Sequence, residues 1–447
     1  MMPEDPRRKS FWQSTIEHAE RVPLTGSVTA DVAIIGAGYS GLSSAYYIRR
    51  ADSGSRVAVL EAQTAGYGAS GRNGGFSMTL FGVSLEMTHR LHGGARTREA
   101  MEYMVDAVEH LDGLVRTHGL QCDYVPSGFL RVATTPGYRR RLQHELEIAG
   151  RVGLAGVDWW DEARVQAAVH SETFLGGVWE PRCALIHPAR LASAMARLAE
   201  AAGAVIYERS PVTSVERVAS GVRLVTPRGT VNARKVVFAT NAWSHLFPWV
   251  KRKQVPVWTH LIATEPLTPA QWASVGWQDG MGLEDARNLI HYFRPSPDGR
   301  ILMGGGGVVV GYGSAMDHDS HPATFHHLEG FLKTLFPQLG AVRVTHRWGG
   351  PVSVTSDFVP AVGYVGDPCA VYNVGCIGHG VSLMPSNGRI IADLVLERKT
   401  PLTDLWFVNR RLLPWPGEPL RYVGGVGVRA LLALQDRLYE RRGLGAA

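Results

Sequence analysis

A chain of 447 residues with 45% apolar and 19% charged residues has the composition of a globular protein, and its length predicts two or three domains. The net charge of +6 comes from basic residues that are spread along the chain, whereas nucleic-acid-binding proteins concentrate theirs in a patch, so we expect no nucleic-acid partner. The sequence has no secretory signal, no apolar run of about 18 residues and no CxxC pair among its four cysteines. We therefore expect a cytoplasmic protein without a membrane span or a zinc site.

The first predicted elements form a βαβ unit. Residues 1–28 resemble an extended arm, residues 31–35 predict a buried strand, residues 39–50 show helical spacing, and residues 57–60 predict a second strand. This order of strand, helix and strand is typical of a dinucleotide-binding fold.

The turn between the first strand and the helix matches the pattern GxGxxG. Gly36 permits the tight turn, Gly38 lets a pyrophosphate approach, and Gly41 lets the helix pack closely on the strand. The second strand ends in Glu61, whose carboxylate can accept hydrogen bonds from an adenosine ribose. No basic residue directly follows Glu61, which disfavours a ligand with a 2′-phosphate.

The next segment, residues 64–77, is dense in glycine. Ser70, Arg72, Asn73 and Gly74 place hydrogen-bond donors and flexible backbone just after the predicted ribose-binding residue. A long ligand whose pyrophosphate and flavin ring continue past the helix suits this arrangement, which favours FAD over NAD(P).

The remaining elements alternate between helix-rich and strand-rich stretches. Helical spacing marks residues 98–117, 188–202, 324–336, 386–398 and 426–441, and strands dominate residues 204–240 and 255–313. This order predicts a fold of mixed class, α/β and α+β, in which a Rossmann-like FAD-binding domain is interleaved with a mixed-sheet substrate domain. The FAD-binding domain is expected to comprise residues 1–95, 181–245 and 347–447 (the last with a C-terminal helical tail), and the substrate domain residues 96–180 and 246–346.

Seven stretches of the chain resemble the D-amino-acid oxidase type of FAD-dependent oxidoreductase. They are DVAIIGAGYSGLSSAYYI (31–48), LEAQTAGYGASGRNGG (60–75), VVFATNAW (236–243), ATEPL (263–267), YFRPSPDGRILMGG (292–305), HRWGGPVSVTSDFVPAVG (346–363) and GCIGHGVSL (375–383). Within that family the similarity is greatest to the γ-glutamylputrescine oxidase group and more distant to glycine oxidase and sarcosine oxidase. GASGRNGG together with GxxGHG is far more specific than the nucleotide motif alone.

The motif and the resemblance together imply a set of FAD-binding residues. They are Gly36, Gly38, Tyr39, Ser40, Gly41, Glu61, Ala62, Ala69, Ser70, Arg72, Asn73, Gly74, Val212, Gly349, Gly378, His379 and Gly380. Sarcosine oxidases carry a flavin-linked cysteine where this chain has glycine and proline after Trp348, so we expect non-covalent FAD.

Four side chains are candidates for contact with substrate. Tyr292 and Arg294 lie two residues apart on a predicted strand and so share a face. Arg294 would hold a substrate carboxylate, or instead pair with a structural acid such as Asp298. His379 would contact the flavin or be simply hydrogen-bonded, and His260 would reach the pocket or face the other side of its strand. Acidic and histidine residues within 317–327 match no known metal-binding spacing, and no metal is expected.

The resemblance implies oxidation of an amine or amino acid. A hydride equivalent would pass from the α C–H to flavin N5, the resulting imine would hydrolyse to a carbonyl product, and O2 would be reduced to H2O2. The strand at residues 300–303 lacks the lysine that sarcosine oxidases use for oxygen activation. A dehydrogenase of the same fold that passes electrons to a quinone or an electron-transfer protein therefore stays open, as do a flavoprotein that oxidises a non-amine substrate and a flavin-binding protein without catalysis.

Overall fold

The computed structural model describes residues 9–277 and 279–441. The strands are β1 (Gly26–Ile35), β2 (Val57–Leu60), β3 (Phe76–Ser77), β4 (Phe129–Val132), β5 (Asp158–Trp160), β6 (Gly177–Glu180), β7 (Ala184–Leu185), β8 (Val205–Tyr207), β9 (Ser214–Val218), β10 (Gly221–Thr226), β11 (Gly229–Phe238), β12 (Val255–Thr264), β13 (Gly282–Asp285), β14 (His291–Pro295), β15 (Ile301–Gly305), β16 (Val309–Val310), β17 (Val344–Val354), β18 (Ala361–Val365) and β19 (Asp367–Val374). The helices are α1 (Phe11–Ser14), α2 (Tyr39–Ala51), α3 (Leu85–His118), α4 (Pro136–Arg151), α5 (Glu162–Ala168), α6 (Pro188–Ala201), α7 (Pro269–Val275), α8 (Pro322–Leu335), α9 (Gly380–Val395) and α10 (Leu420–Arg441).

The first large sheet is built around β1. Its main strand order is β18-β19-β11-β1-β2-β8, and β1 is parallel to both of its neighbours, β11 and β2. Val32 and Ile34 pack into one apolar cluster while Ala33 and Ile35 pack into another, so β1 is buried on both faces. A parallel strand covered on both sides needs such a continuous apolar run, and this part of the sequence prediction is confirmed.

Two helices cross closely on one face of this sheet. A Cβ on Gly388 of α9 would lie 2.1 Å from Oγ of Ser43 in α2, so only glycine permits this approach of the two helices. The long helix α3 joins the same layer through buried residues that include Met101, Met104 and Leu111. The predicted segment 96–180 therefore begins with a helix that packs on the first sheet, not on the second.

The second large sheet is mostly antiparallel. Its order is β16-β12-β15-β14-β13-β4-β6-β5, with β17 paired along β12 and one parallel pair, β13 with β4. Helix α8 covers one face, where Phe325, Leu328 and Leu332 contact Ile262 and Phe293. The predicted boundary at residue 346 cuts through β17, which continues in this sheet to Val354.

The two ends of the chain differ from the sequence predictions. The expected extended arm contains the short helix α1, whose Trp12 side chain is fully buried. The last helix begins at Leu420, six residues before the predicted start at 426, and contacts α4 and β16. Within the described part of the chain, no helix combines the length and the hydropathy that crossing a membrane requires.

Candidate active site

A cavity of about 1270 Å³ lies between the two large sheets. Its wall includes Gly36 and Glu61 from the first sheet, Tyr292 and Thr259 from the second, and His379 from the segment before α9. Pockets for one small ligand usually measure about 300–1,000 Å³, so this volume can take a dinucleotide and a substrate together.

The GxGxxG turn has the geometry that the sequence predicts. Gly36 has φ +104°, and a Cβ there would lie 2.7 Å from the carbonyl oxygen of Ala239. A Cβ on Gly41 would lie 1.9 Å from the carbonyl oxygen of Gly36, so Gly41 holds the helix against the strand and lies behind the cavity wall. Gly38 caps α2 without a side-chain hydrogen bond. The Tyr39 N–H at the start of α2 donates to Oγ of Ser70, and the positive end of the helix dipole lies at the cavity, where it favours a phosphate.

Glu61, the predicted ribose-binding residue, lines the cavity. Its Oε2 accepts a hydrogen bond from the Ala37 N–H at 2.8 Å, and its Oε1 accepts one from the Gln63 N–H at 3.0 Å. Burial raises the pKa of Glu61, and the bond from Ala37 opposes that rise. Ala62 and Val212 also line the cavity.

The glycine-rich loop is anchored to the start of α2 and to the N-terminal helix. Oγ of Ser70 accepts from the Tyr39 N–H at 2.9 Å, and the Trp12 indole N–H donates to the Asn73 carbonyl at 2.9 Å. The Arg72 guanidinium lies over the Tyr67 ring and donates to Asp319 at 2.5 Å. The predicted residues of this loop that line the cavity are Ala69, Ser70, Arg72, Asn73 and Gly74, and Tyr39 and Ser40 lie beside them.

The segment before α9 contributes a buried histidine. Ile377 and Gly378 have φ of 48° and 90°, a left-handed stretch that turns the chain into the helix. His379 is 8% exposed and lines the cavity together with Gly378 and Gly380. Burial lowers the pKa of His379 to about 4, and its Nδ1 has no hydrogen-bond partner within the described residues. His379 is therefore a buried, neutral imidazole at the wall of the ligand space.

Two predicted site residues point away from the cavity. In the β12–β17 ladder His260 pairs with Gly349, and Thr259 pairs with Gly350. Thr259 and Gly350 line the cavity, whereas the Nε2 of His260 donates to the His318 carbonyl at 2.9 Å on the other face. A Cβ on Gly349 would meet that same carbonyl oxygen at 2.8 Å. Because side chains alternate along each strand, His260 and Gly349 lie on the face away from the cavity, and their neighbours Thr259 and Gly350 line it.

Tyr292 and Arg294 differ in role although both lie on β14. Tyr292 lines the cavity, its ring makes an edge contact with Phe76 at 5.6 Å, and burial raises its pKa. Arg294 is 3% exposed and lies outside the cavity wall. Its guanidinium donates to the backbone carbonyls of Gly74, Gly75, Ile186 and Pro295.

Arg294 thus fixes the glycine-rich loop from behind, and its guanidinium is not part of the cavity wall, where the predicted contact with a substrate carboxylate would be made. The suggested partner Asp298 instead binds Arg300 at 2.6 Å. Burial lowers the pKa of Arg294 to about 9.

Two charged residues that no sequence pattern singled out line the cavity on the second sheet. Arg131 lies on β4, Glu284 on β13, and both face the ligand space. Their strands are four residues long and carry no distinctive pattern, although the alternation in each would have placed these side chains on one face. Helix α10 also contributes to the wall, through residues that include Arg429 and Gln435.

Three of the acidic and histidine residues at 317–327, Asp319, His321 and His327, bind other side chains. Asp319 binds Arg72 and lies 3.3 Å from Nζ of Lys9, and His327 contacts His291 at 2.8 Å. Across residues 9–277 and 279–441, no group of three or more His, Cys, Asp and Glu side chains is arranged to hold a metal ion.

Comparison with known proteins agrees with this architecture. The family model described as FAD-dependent oxidoreductase (DAO) matches residues 31–394. The chain is 32% identical to γ-glutamylputrescine oxidoreductase of Escherichia coli over 418 residues, which covers 93% of this chain and 95% of that protein. It is 29% identical to a probable oxidoreductase, OrdL, of Haemophilus influenzae, with coverage of 87% and 88%.

The fold is shared with solved structures of lower sequence identity. The structure of glycine oxidase from Geobacillus kaustophilus superposes with a TM-score of 0.71 at 22% identity, covering 86% of this chain and all of that one. The nucleotide turn, Glu61, the loop carrying Arg72 and the segment carrying His379 surround one cavity, and they fit an FAD molecule. The chain therefore belongs to the DAO family of FAD-dependent oxidoreductases.

Proposed function

We propose that this enzyme oxidises an amine or an amino acid in the space between the flavin-binding residues and the second sheet. The observation that carries the proposal is the cavity itself, in which Tyr292 of the second sheet and the segment of His379 line one space that is larger than a single small ligand requires. γ-Glutamylputrescine oxidoreductase and glycine oxidase are named for amine-containing substrates, which supports the same substrate class.

FAD, when bound, would accept a hydride equivalent from the α C–H of the amine, leaving an imine that water hydrolyses to a carbonyl product. The residues of this chain would position the substrate and limit access of water. Tyr292 and the aromatic rings of Phe76 and Phe129 form one wall of the cavity. His379, neutral above pH 4, would offer a ring nitrogen as a hydrogen-bond partner without adding charge.

We also propose that FAD is held without a covalent bond and that O2 is the electron acceptor, giving H2O2. A second candidate function is that of a dehydrogenase of the same fold. The neutral state of His379 favours it, because a neutral ring lacks the positive charge that would help oxygen to accept an electron. Cys376 lines the cavity as well, so release of the cofactor needs a direct check.

An anaerobic absorbance titration of the purified holoenzyme tests the proposal. The panel contains diamines, N-methyl amino acids, D-amino acids and glycine, with hydroxy acids as controls. We expect bleaching of the flavin band near roughly 450 nm by one amine class and none by hydroxy acids. Bleaching by hydroxy acids alone would refute the amine assignment. Readmitted air that restores the colour with formation of peroxide supports the oxidase, whereas slow recovery in air with fast recovery by an added dye supports the dehydrogenase. Acid precipitation that leaves the flavin in solution supports non-covalent binding.

A further inference from the structure

Three neighbouring strands of the second sheet place a row of polar side chains on the cavity floor. Glu284 of β13 pairs in register with Arg131 of β4 on one side and with Tyr292 of β14 on the other. Directly paired residues of adjacent strands project to the same face, about 5 Å apart. All three line the cavity, so the row Arg131–Glu284–Tyr292 faces the ligand space.

The row has a defined position relative to the flavin-binding residues. A Cβ on Gly74, in the glycine-rich loop, would lie 3.0 Å from the Tyr292 ring, so Tyr292 is the end of the row that adjoins that loop. At the other end, the positive charge of Arg131 adds to burial in lowering the pKa of His379. Glu284 therefore lies between two points that both adjoin the flavin-binding residues.

Arg131 is already engaged by carboxylates. Its Nη1 donates to Glu145 of α4, and its Nε lies 3.2 Å from Oε1 of Glu284. A second arginine, Arg141, lies 3.6 Å from the same Glu145. The guanidinium that faces the cavity thus serves two carboxylates, which leaves it poorly placed to bind the carboxylate of a substrate.

Glu284, in contrast, keeps capacity to accept hydrogen bonds. Its side chain is 4% exposed, and its one ion pair within the described residues is the contact with Arg131. A carboxylate has about four acceptor positions, and an ammonium group brings three donors. The adjacent Asp285 takes no part, because it binds Arg287 at 2.5 Å and His291 at 2.7 Å.

We propose that Glu284 binds the positively charged amino group of the substrate, and that this contact makes the enzyme selective for cationic amines over substrates whose only charge is a carboxylate. The inference rests on the proposed function for the chemistry of the substrate. The inference adds the residue that recognises the substrate and the charge that the substrate carries. Tyr292 borders the bound ammonium, and Arg131 keeps the Glu284 carboxylate in place. Before oxidation the ammonium transfers one proton to the Glu284 carboxylate, which leaves the neutral amine whose α C–H can give up a hydride.

A pair of ligands of the same shape and opposite charge tests the proposal on the holoenzyme. tert-Butylammonium is a cation without an α C–H and cannot be oxidised there, whereas pivalate is the matching anion. Calorimetric titration of each into the wild type and into Glu284→Gln gives the two dissociation constants. Loss of a charge-assisted contact in a buried site predicts a dissociation constant for tert-butylammonium that is about 10- to 100-fold higher in Glu284→Gln. Binding of pivalate is expected to be equally weak in both proteins.

Two further variants separate recognition from loss of structure. Glu145→Gln removes the other carboxylate from Arg131 but lies outside the cavity wall, so the tert-butylammonium affinity is expected to stay within about threefold of the wild type. Glu284→Asp keeps the charge and is expected to retain most of the affinity. The flavin absorbance of each variant reports that the fold and the cofactor site are intact.

The outcomes distinguish this inference from the proposed function. Equal tert-butylammonium affinity in the wild type and in Glu284→Gln would overturn the inference, and so would an equal loss in Glu145→Gln or the absence of measurable binding to the wild type. Bleaching of the flavin by amines is a separate measurement, so it can succeed while the charge recognition fails. Tight binding of tert-butylammonium that depends on Glu284, without bleaching by any amine, would keep the recognition and remove the oxidation.

Discussion

Glu284 gives the most direct test of the electrostatics of the cavity, because its burial has a cost that depends on pH. Burial, as the largest cause, raises the pKa of Glu284 from 4.5 to about 7, while Arg131 lowers it and Asp285 and Glu145 raise it further. Below pH 4.5 the carboxyl is protonated in the folded and the unfolded chain, so its ionisation does not change the free energy of unfolding. As the pH rises from 4.5 to 7 the unfolded chain ionises first, and the free energy of unfolding falls.

The size of this effect follows from the pKa difference. At 1.36 kcal/mol for each pH unit, a rise from 4.5 to about 7 lowers the free energy of unfolding by about 3 kcal/mol at pH 8 and by about 1 kcal/mol at pH 5. Glutamine does not ionise, so the Glu284→Gln variant avoids this loss. We expect the variant to gain about 2 kcal/mol of stability relative to the wild type between pH 5 and pH 8.

Urea unfolding of the cofactor-free proteins at the two pH values measures this difference. Comparing the variant with the wild type cancels the titration of other groups that face the site, such as His379. Glu102→Gln, which changes an exposed carboxyl on α3, is the control and is expected to follow the wild type at both pH values. The same dependence of unfolding on pH in Glu284→Gln and in the wild type would refute the reasoning, because it would mean that the cavity does not penalise the carboxylate.

Three other substitutions probe the assignments around the cavity. Glu61→Gln removes the charged acceptor at the ribose position and is expected to raise the dissociation constant of FAD about 10- to 100-fold, measured by fluorescence titration; an unchanged constant would contradict the role of Glu61. Arg294→Gln leaves carbonyls behind the glycine-rich loop without their donor. We therefore expect the free energy of unfolding in urea to fall by about 2–4 kcal/mol and FAD binding to weaken. The KM values for carboxylated and uncarboxylated amines are expected to change alike. A selective rise for the carboxylated ones would restore Arg294 as a substrate contact. His260→Ala is expected to lower the melting temperature but leave KM within about twofold, because the ring packs against α8; a large change in KM would place the ring back in the site.

The parts of the site that the sequence predicted are local. The turn Gly36–Gly41, the carboxylate of Glu61 and the loop with Ser70 and Arg72 each depend on residues within one short stretch, and each lies on the cavity as expected apart from Gly41, which packs behind the turn. Backbone geometry of this kind is encoded by the positions of glycine, since only glycine allows the close approaches seen there.

The predicted site residues that lie away from the cavity depend on long-range pairing. Gly349 and His260 come from strands whose register decides which face each side chain takes, and a displacement by one residue exchanges the faces. Arg294 does share a face with Tyr292, but its long side chain extends to Gly74 and Gly75, which come from the other end of the chain. Periodicity along one strand contains no information about where such a side chain ends.

The row of Arg131, Glu284 and Tyr292 could not be predicted from the sequence, for a related reason. Two of its members lie on strands of four residues that are separated by about 150 positions in the sequence, and they become neighbours only through a parallel pairing. Arginine and glutamate are also the residues that a sequence analysis assigns to the surface by default. Arg131 and Glu284 become candidates for a functional site only because the strand pairing places both side chains, buried, on the floor of a cavity.

Three buried groups have pKa values that are displaced toward the neutral form: Glu284 and His379 line the cavity, and Arg294 lies behind its glycine-rich loop. Burial is the first cause for each: it raises the pKa of Glu284 to about 7, lowers that of His379 to about 4 and lowers that of Arg294 to about 9. Their displacements have opposite signs for acid and base, so a net field of either charge does not explain them, whereas a poorly hydrated environment explains all three. An enzyme that oxidises an amine gains from such an environment, because electrostatic contacts are stronger there and water is kept from the reacting atoms. Burial of the ionised Glu284 carboxylate destabilises the unliganded protein, and a cationic substrate that binds Glu284 offsets part of this destabilisation. Binding of such a substrate is therefore expected to stabilise the fold most above pH 7, where the carboxylate is ionised and most costly to bury.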